Sequence, residues 1–188
     1  AAHYEPCLTL DMFPLSSFRL RVPSLILGFG LSLATARLAS AQVFTVTSTA
    51  NTYEEGTLKW ALDQATLWGG GGVVSIQSGL KITVDETLFI TRSVTIIGNG
   101  ATISGGGQNR IFYVNAYPPD APVSMIGLTL SDGYAKGGDG GYGGGGGGLG
   151  AGGAIFVNRG QVTLQSVNFS NHAAVGGNGG SSGATGEG

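Results

Sequence analysis

Cysteine is almost absent from this chain. Cys7 is the only one, so no internal disulfide and no cysteine-based zinc site can form. Histidine is nearly as scarce: His3 and His172 lie in unrelated segments and supply no metal-ligating cluster. Charged residues make up 11% of the chain and the formal net charge is −2. That balance leaves no basic footprint for nucleic acid or an anionic membrane surface. No helical apolar period appears after Leu67, which excludes a βαβ architecture. No nucleic-acid partner, cofactor or metal is expected.

What is present is glycine, 36 residues of it, without the strict every-third period of collagen, and this composition reads as long low-complexity loops. Between the glycines lie short runs rich in Val, Ile, Leu and Thr. The strongest signal is a recurrence. Val123, Met125, Leu128 and Leu130 repeat as Val162, Leu164, Val167 and Phe169, and Asp132 repeats as Asn171, all at an offset of 39 residues. A looser copy begins at Val94 with VTIIG, matching VSMIG at Val123. Such recurrence marks an architecture of stacked supersecondary units. Both quartets are expected to point into the core, with Val94 and Ile96. Asp132 and Asn171 are expected at corners, folding back on their own backbone.

Taken in order, residues 12–41 read as a secretory signal peptide. Arg19 and Arg21 precede an apolar run, and the small residues Ala39, Ser40 and Ala41 precede Gln42. The run, about 15 residues, falls short of the roughly 20 that span a bilayer. Cleavage is expected between Ala41 and Gln42, and residues 1–11 read as an upstream extension outside the functional chain. Residues 42–72 form a strand–helix cap, with Thr57 capping a helix that runs to about Leu67. Residues 73–188 form the stacked body, interrupted by a proline-rich loop at 116–122 and a glycine-rich insert at 133–153, and followed by a glycine-rich tail at 176–188. The insert is expected to be a flexible excursion, with Tyr134 and Tyr142 as contact points. The chain stops within a glycine run without a closing element, so it reads as an incomplete gene product.

The opening FTVTSTANTYEEGTLKWALDQA resembles the N-terminal segment of secreted bacterial β-helix proteins, through Gly56, Thr57, Leu58, Ala61, Leu62 and Ala65, with Lys59 in place of the usual Arg. GATISGGGQNRIFYVN resembles a rung of the same proteins. GGAIFVNRGQVTLQSVNFSNHAAVGGNGG is similar to the repeat of autotransporter passengers and polymorphic outer membrane proteins. Gly152, Gly153, Ala154 and Ile155 match its GGAI motif, while Asn171 and His172 depart from its F-x-x-N motif. The resemblance implies an all-β right-handed parallel β-helix with a short N-terminal capping helix and a glycine-rich loop. It also implies a secreted or cell-surface adhesin, with a membrane association only through a missing C-terminal anchor.

Catalysis has little to build on. Glycosidase chemistry needs two carboxyl groups across a cleft, yet Glu54, Glu55, Asp63, Asp85, Glu86, Asp120, Asp132, Asp139 and Glu187 do not recur as a pair at the repeat offset. Asp85 and Glu86 are adjacent, and strand alternation would send them to opposite faces. The glycine run leads into a strand without the Lys-Ser/Thr of a phosphate loop, and Asp139 is out of register for a calcium nonapeptide. His172 reads as a surface residue, Trp60 and Trp68 as cap packing, and Asn99, Asn115, Asn158 and Asn168 as strand ends or amide stacks. The expected protein is therefore non-enzymatic, presenting loops and its side to a host, matrix or polysaccharide surface. The alternative is a fragment of a β-helix polysaccharide lyase or glycoside hydrolase without its catalytic rungs. An ice- or crystal-binding face would need regular threonine ranks, and Thr95, Thr102, Thr129 and Thr163 fall at uneven offsets.

Overall fold

The computed structural model describes residues 41–67 and 69–181. The expected extension at 1–11, the signal peptide through Ser40, Trp68 and residues 182–188 of the tail lie outside the described residues. The rest is mostly strand, with one helix, and every strand pairing is parallel.

The first sheet has the order β1 (Val43–Val46), β2 (Gly72–Ile76), β5 (Val94–Ile97), β8 (Pro122–Ile126) and β12 (Gln161–Gln165). The second aligns β3 (Lys81–Thr83), β6 (Thr102–Ser104), β9 (Thr129–Ser131) and β13 (Asn168–Ser170). The third comprises β4 (Leu88–Ile90), β7 (Phe112–Asn115) and β11 (Ile155–Arg159), and β10 (Tyr134–Lys136) pairs with β14 (Ala173–Val175). The chain visits the first, second and third sheets in turn and then returns to the first. Parallel pairing follows from that order, since each strand meets its predecessor of the previous circuit running the same way.

Alternation inside these short strands sends every second residue inward. In register, Val74, Ile96 and Met125 form one apolar column, Ile82, Ile103 and Leu130 a second, and Leu88 and Phe112 a third. All of these are buried, and burying each such side chain stabilises by about 1.5–3 kcal/mol. The proline-rich segment is an outward loop, but Pro122 itself starts β8. A strand's first residue tolerates a missing N–H.

The 39-residue offset is the observed register: Val123 pairs with Val162, Met125 with Leu164 and Leu130 with Phe169. The burial expectation divides. Val123, Met125, Leu128 and Leu130 are buried, whereas Leu164 and Phe169 are nearly half exposed and Val162 and Val167 only partly covered. The second quartet has the inward register without being core, because among the described residues no later circuit lies over it.

Helix α1 (Leu58–Leu67) covers the opposite end. Thr57 caps it: its Oγ1 accepts from the Trp60 amide at 3.4 Å and donates to the carbonyls of Thr52 (2.7 Å) and Glu54 (2.8 Å). Leu58, Ala61, Leu62 and Ala65 are buried, and Trp60 meets Phe44 edge-on at 5.8 Å. A side chain at Gly72 would strike Ala65 at 2.9 Å, so glycine sets how closely the helix sits on β2.

The glycine-rich insert differs from the expected flexible excursion. It begins in strand β10, and residues 137–141, 145–150 and 175–181 then lie side by side. The amides of Gly137 and Gly140 donate to the carbonyls of Val175 and Asn178, those of Gly177 and Gly180 to Gly148 and Gly145, and that of Gly148 to Gly138. Contacts recur at every third residue, as in extended threefold helices whose crowded axis admits only glycine. A Cβ at Gly137, Gly140, Gly147, Gly150, Gly177 or Gly180 would fall against a neighbouring carbonyl oxygen, whereas at Gly138, Gly141 or Gly146 it meets nothing. Gly140→Ala and Gly177→Ala are therefore expected to abolish amide-exchange protection across the insert and tail, and Gly138→Ala and Gly146→Ala to leave it unchanged. Equal protection in all four variants would count against the array.

Candidate functional site

The outer face of the second sheet carries two parallel ranks. Lys81, Thr102, Thr129 and Asn168 form one, and Thr83, Ser104, Ser131 and Ser170 the other, aligned by strand register. In β3, β6 and β9 the central residue is buried, which turns its two neighbours outward. Neighbouring strands stand about 4.8 Å apart and alternate residues along a strand about 6.6 Å. The face is thus a small grid dominated by hydroxyl groups. Thr102 and Thr129 share a rank, while Thr95 and Thr163 lie in a different sheet with Ser124 between them. No continuous threonine rank forms among the described residues.

One corner of this face is tied by hydrogen bonds. Asp132 and Asn171 both take positive φ, 50° and 55°, a conformation that Asn and Asp tolerate better than most residues. Asn171 Nδ2 donates to Asp132 Oδ1 at 2.6 Å and Ser104 Oγ to Oδ2 at 3.0 Å. The bond from Asn171, and then those from neighbouring hydroxyls, hold the Asp132 carboxyl below its usual range. His172 lies in this corner: its Nδ1 accepts from the Gly133 amide at 2.9 Å, and its Nε2 stands 3.0 Å from the Leu130 carbonyl. Both ring nitrogens are used within the fold, which makes His172 a structural strut rather than a free surface group. A depressed carboxyl stabilises above its unfolded value and loses that contribution as pH falls through its folded one. Asp132→Asn is accordingly expected to shrink the drop in melting temperature on acidification below about pH 3.8. An unchanged acid slope would count against this corner.

On the third sheet Phe89, Tyr113 and Phe156 line up, with ring centroids 5.4 and 5.5 Å apart. The Arg110 guanidinium lies 5.1 Å from the Phe156 ring and donates to the carbonyls of Ala151 (Nη2, 2.8 Å) and Gly152 (Nε, 3.0 Å). Stacked rings occupy one another's faces, so Tyr113, Phe156 and Arg110 brace the end of the insert. Beside them Asn158 Nδ2 donates to Asn115 Oδ1 at 3.0 Å, an amide pair on adjacent circuits.

A cleft lies between α1 and the turn joining β3 to β4. It holds about 380 Å³, with Tyr53, Lys59, Asp63, Thr66, Glu86 and Phe89 in its lining. Lys59 Nζ is 2.7 Å from both Asp85 Oδ1 and Glu86 Oε1. Residues 85 and 86 belong to a turn, not a strand. Strand alternation therefore does not apply, and both carboxylates converge on one ammonium, contrary to the expectation that they would diverge. Lys59 is only 7% exposed. Burial works to lower its pKa, but the bonds to Asp85 and Glu86 outweigh burial and hold it raised. Asp85 is held low, first by its bond to Lys59. These are the directions of an ion pair, not of a general acid or base poised near neutrality.

Of the two expected contact tyrosines, Tyr142 is 90% exposed at the turn of the insert. Tyr134 lies in β10, opposite Ala173, and is only partly exposed, so it is not a loop residue. Tyr53, Lys59 and Phe89 carry no site signal in the sequence, because their partners are distant along the chain. Among the described residues no three His, Cys, Asp or Glu side chains gather as metal ligands, and no helix is long and apolar enough to cross a membrane. No protein-family model, curated protein or solved structure matches the chain.

Proposed function

We propose that this chain is a non-enzymatic binding module of a secreted or cell-surface protein, of the autotransporter-passenger or adhesin type, built as a right-handed parallel β-helix. The cyclic visiting of parallel sheets supports the coil, and crossovers between parallel strands of one sheet are right-handed in about 98% of cases. Export is taken from residues 12–41, with cleavage between Ala41 and Gln42. The observation that carries the binding function is the hydroxyl grid of the second sheet. A regular row of donors and acceptors on a rigid face suits an extended polar surface, with the host matrix or a polysaccharide as partner.

The test is sedimentation of the full chain with insoluble cellulose, chitin and matrix-coated beads. Saturable uptake is expected, and Thr102→Val with Thr129→Val should weaken it several-fold without changing the circular dichroism spectrum. Absence of uptake on every surface, or uptake indifferent to both substitutions, would sink the proposal. Polysaccharide turnover by the purified chain would favour the lyase or hydrolase alternative instead.

A further inference from the structure

The geometry points to the cleft between α1 and the β3–β4 turn as a subsite for a segment of a neutral glycan chain. This rests on the binding-module reading above and adds to it a second site, of different chemistry from the hydroxyl grid.

The cleft holds two large aromatic side chains in water, Tyr53 at 68% exposure and Phe89 at 63%. Phe89 makes only a tilted contact with Tyr113, and the Lys59 ammonium stands 5.7 Å from the centre of the Tyr53 ring. Exposed ring surface of this kind is suited to the apolar C–H face of a pyranose, since aromatic contacts offer large area with few rotors to order. Between and beside the rings lie polar groups that can hydrogen-bond to sugar hydroxyls: the carboxylates of Asp63 and Glu86 and the hydroxyls of Thr66 and Thr91. Carboxylates accept strong, charge-assisted bonds from hydroxyl donors.

Charge selects among glycans. The one positive charge among the described lining residues, Lys59, is already shared by Asp85 and Glu86, and Asp63 adds another negative charge to the lining. An acidic lining whose cation is already paired repels uronates, sulfates and phosphates, so the ligand class is a neutral hexose or pentose chain. The volume lies at the lower end of the roughly 300–1,000 Å³ usual for small-ligand sites. That is room for a short stretch of sugar rings and not for a folded partner.

The experiment titrates the full chain with cellohexaose, laminarihexaose, xylohexaose and maltohexaose, with an oligogalacturonate of equal length as the acidic control. It is followed by tyrosine fluorescence and by calorimetry. At least one neutral oligosaccharide is expected to bind saturably with a dissociation constant on the order of 1 mM. Tyr53→Ala and Asp63→Asn, neither in the core, should each weaken it about tenfold with the melting temperature unchanged. The inference is overturned if no neutral oligosaccharide saturates below about 20 mM, if the oligogalacturonate binds more tightly, or if binding survives both substitutions. Uptake on insoluble surfaces is measured with the same variants. Absence of oligosaccharide binding by the unsubstituted chain, with its surface uptake intact, counts against the cleft alone. Oligosaccharide binding without any surface uptake counts against the hydroxyl grid alone.

Discussion

Leu130→Ala is expected to destabilise the fold by about 2–5 kcal/mol, whereas Phe169→Ala, at the same register position one circuit later, should cost less than about 1 kcal/mol. Residue type alone would give the opposite order, since phenylalanine has more apolar surface to lose. Surroundings decide it. Leu130 is fully buried between Ile103 and Phe169 in its column, while Phe169 is 48% exposed. Truncating Leu130 leaves a cavity that the parallel strands on either side cannot collapse to fill. Truncating Phe169 removes atoms already half in water, and its remaining ring contact is an edge-on approach to His172 at 5.8 Å. Thermal and urea melts of the full chain measure both. In a domain of this size each kcal/mol shifts the midpoint by about 2–4 °C. If Leu130→Ala does not fold, Ile103→Val in the same column gives a graded version, expected to cost about 0.5–1.5 kcal/mol. Similar losses for Leu130→Ala and Phe169→Ala would show that the two circuits are equally covered.

The register of that column is legible in the amino-acid sequence. Apolar residues two apart within each half of the quartets mark strands with one buried face, and a repeat offset shared by Leu130–Phe169 and Asp132–Asn171 is satisfied when the two strands stack in register. The corner positions of Asp132 and Asn171 are legible for a similar reason, because their side chains are among the few that accept a left-handed backbone, although the two side chains bond to each other across circuits and not, as expected, back onto their own backbone. Properties that belong to neighbours leave no such trace. Whether Phe169 is buried depends on what lies over it, and nothing in its own segment encodes that.

The glycine array is hidden differently. Gly137 and Gly140, Gly147 and Gly150, and Gly177 and Gly180 are each three apart, but glycine also fills half of the positions between them and nearly all of 141–148. The period therefore emerges only once the partner carbonyls are known. Strands β10 and β14 give no sequence signal because YAK and AAV are short and flanked by polar or glycine residues that offer no alternation to count. The ion pair at the cleft is equally silent, because Lys59 and its two carboxylates are separated by a whole strand pair. The adjacent carboxylates also invite a strand reading, although their backbone is a turn.

That ion pair yields the other large effect. Replacing Asp85 and Glu86 together, by Asn and Gln, is expected to lower the melting temperature by several degrees, more than Lys59→Met does. The asymmetry comes from burial. Lys59 has 6% of its side chain exposed and the carboxylates 56% each. Without its partners the ammonium remains in the protein as an uncompensated charge. Without the ammonium the carboxylates rehydrate, and methionine fills the space of the lysine stem. The triple variant should therefore resemble Lys59→Met, and a double-mutant cycle of melts should give a coupling well above the scatter expected for independent sites. The pH dependence has a definite sign at both ends. Lys59, held above its usual 10.5, contributes fully below its unfolded value and loses that contribution as pH rises through the folded one. Asp85, held below 3.8, contributes above its unfolded value and loses its part as pH falls through the folded one. The wild type should thus show a stability plateau bounded by losses above about pH 10.5 and below about pH 3.8, and Lys59→Met should flatten the alkaline shoulder and shrink the acid one, to which Asp132 also contributes. A Lys59→Met variant less stable than the Asp85→Asn, Glu86→Gln pair would mean that the ammonium, not its burial, is what the fold depends on.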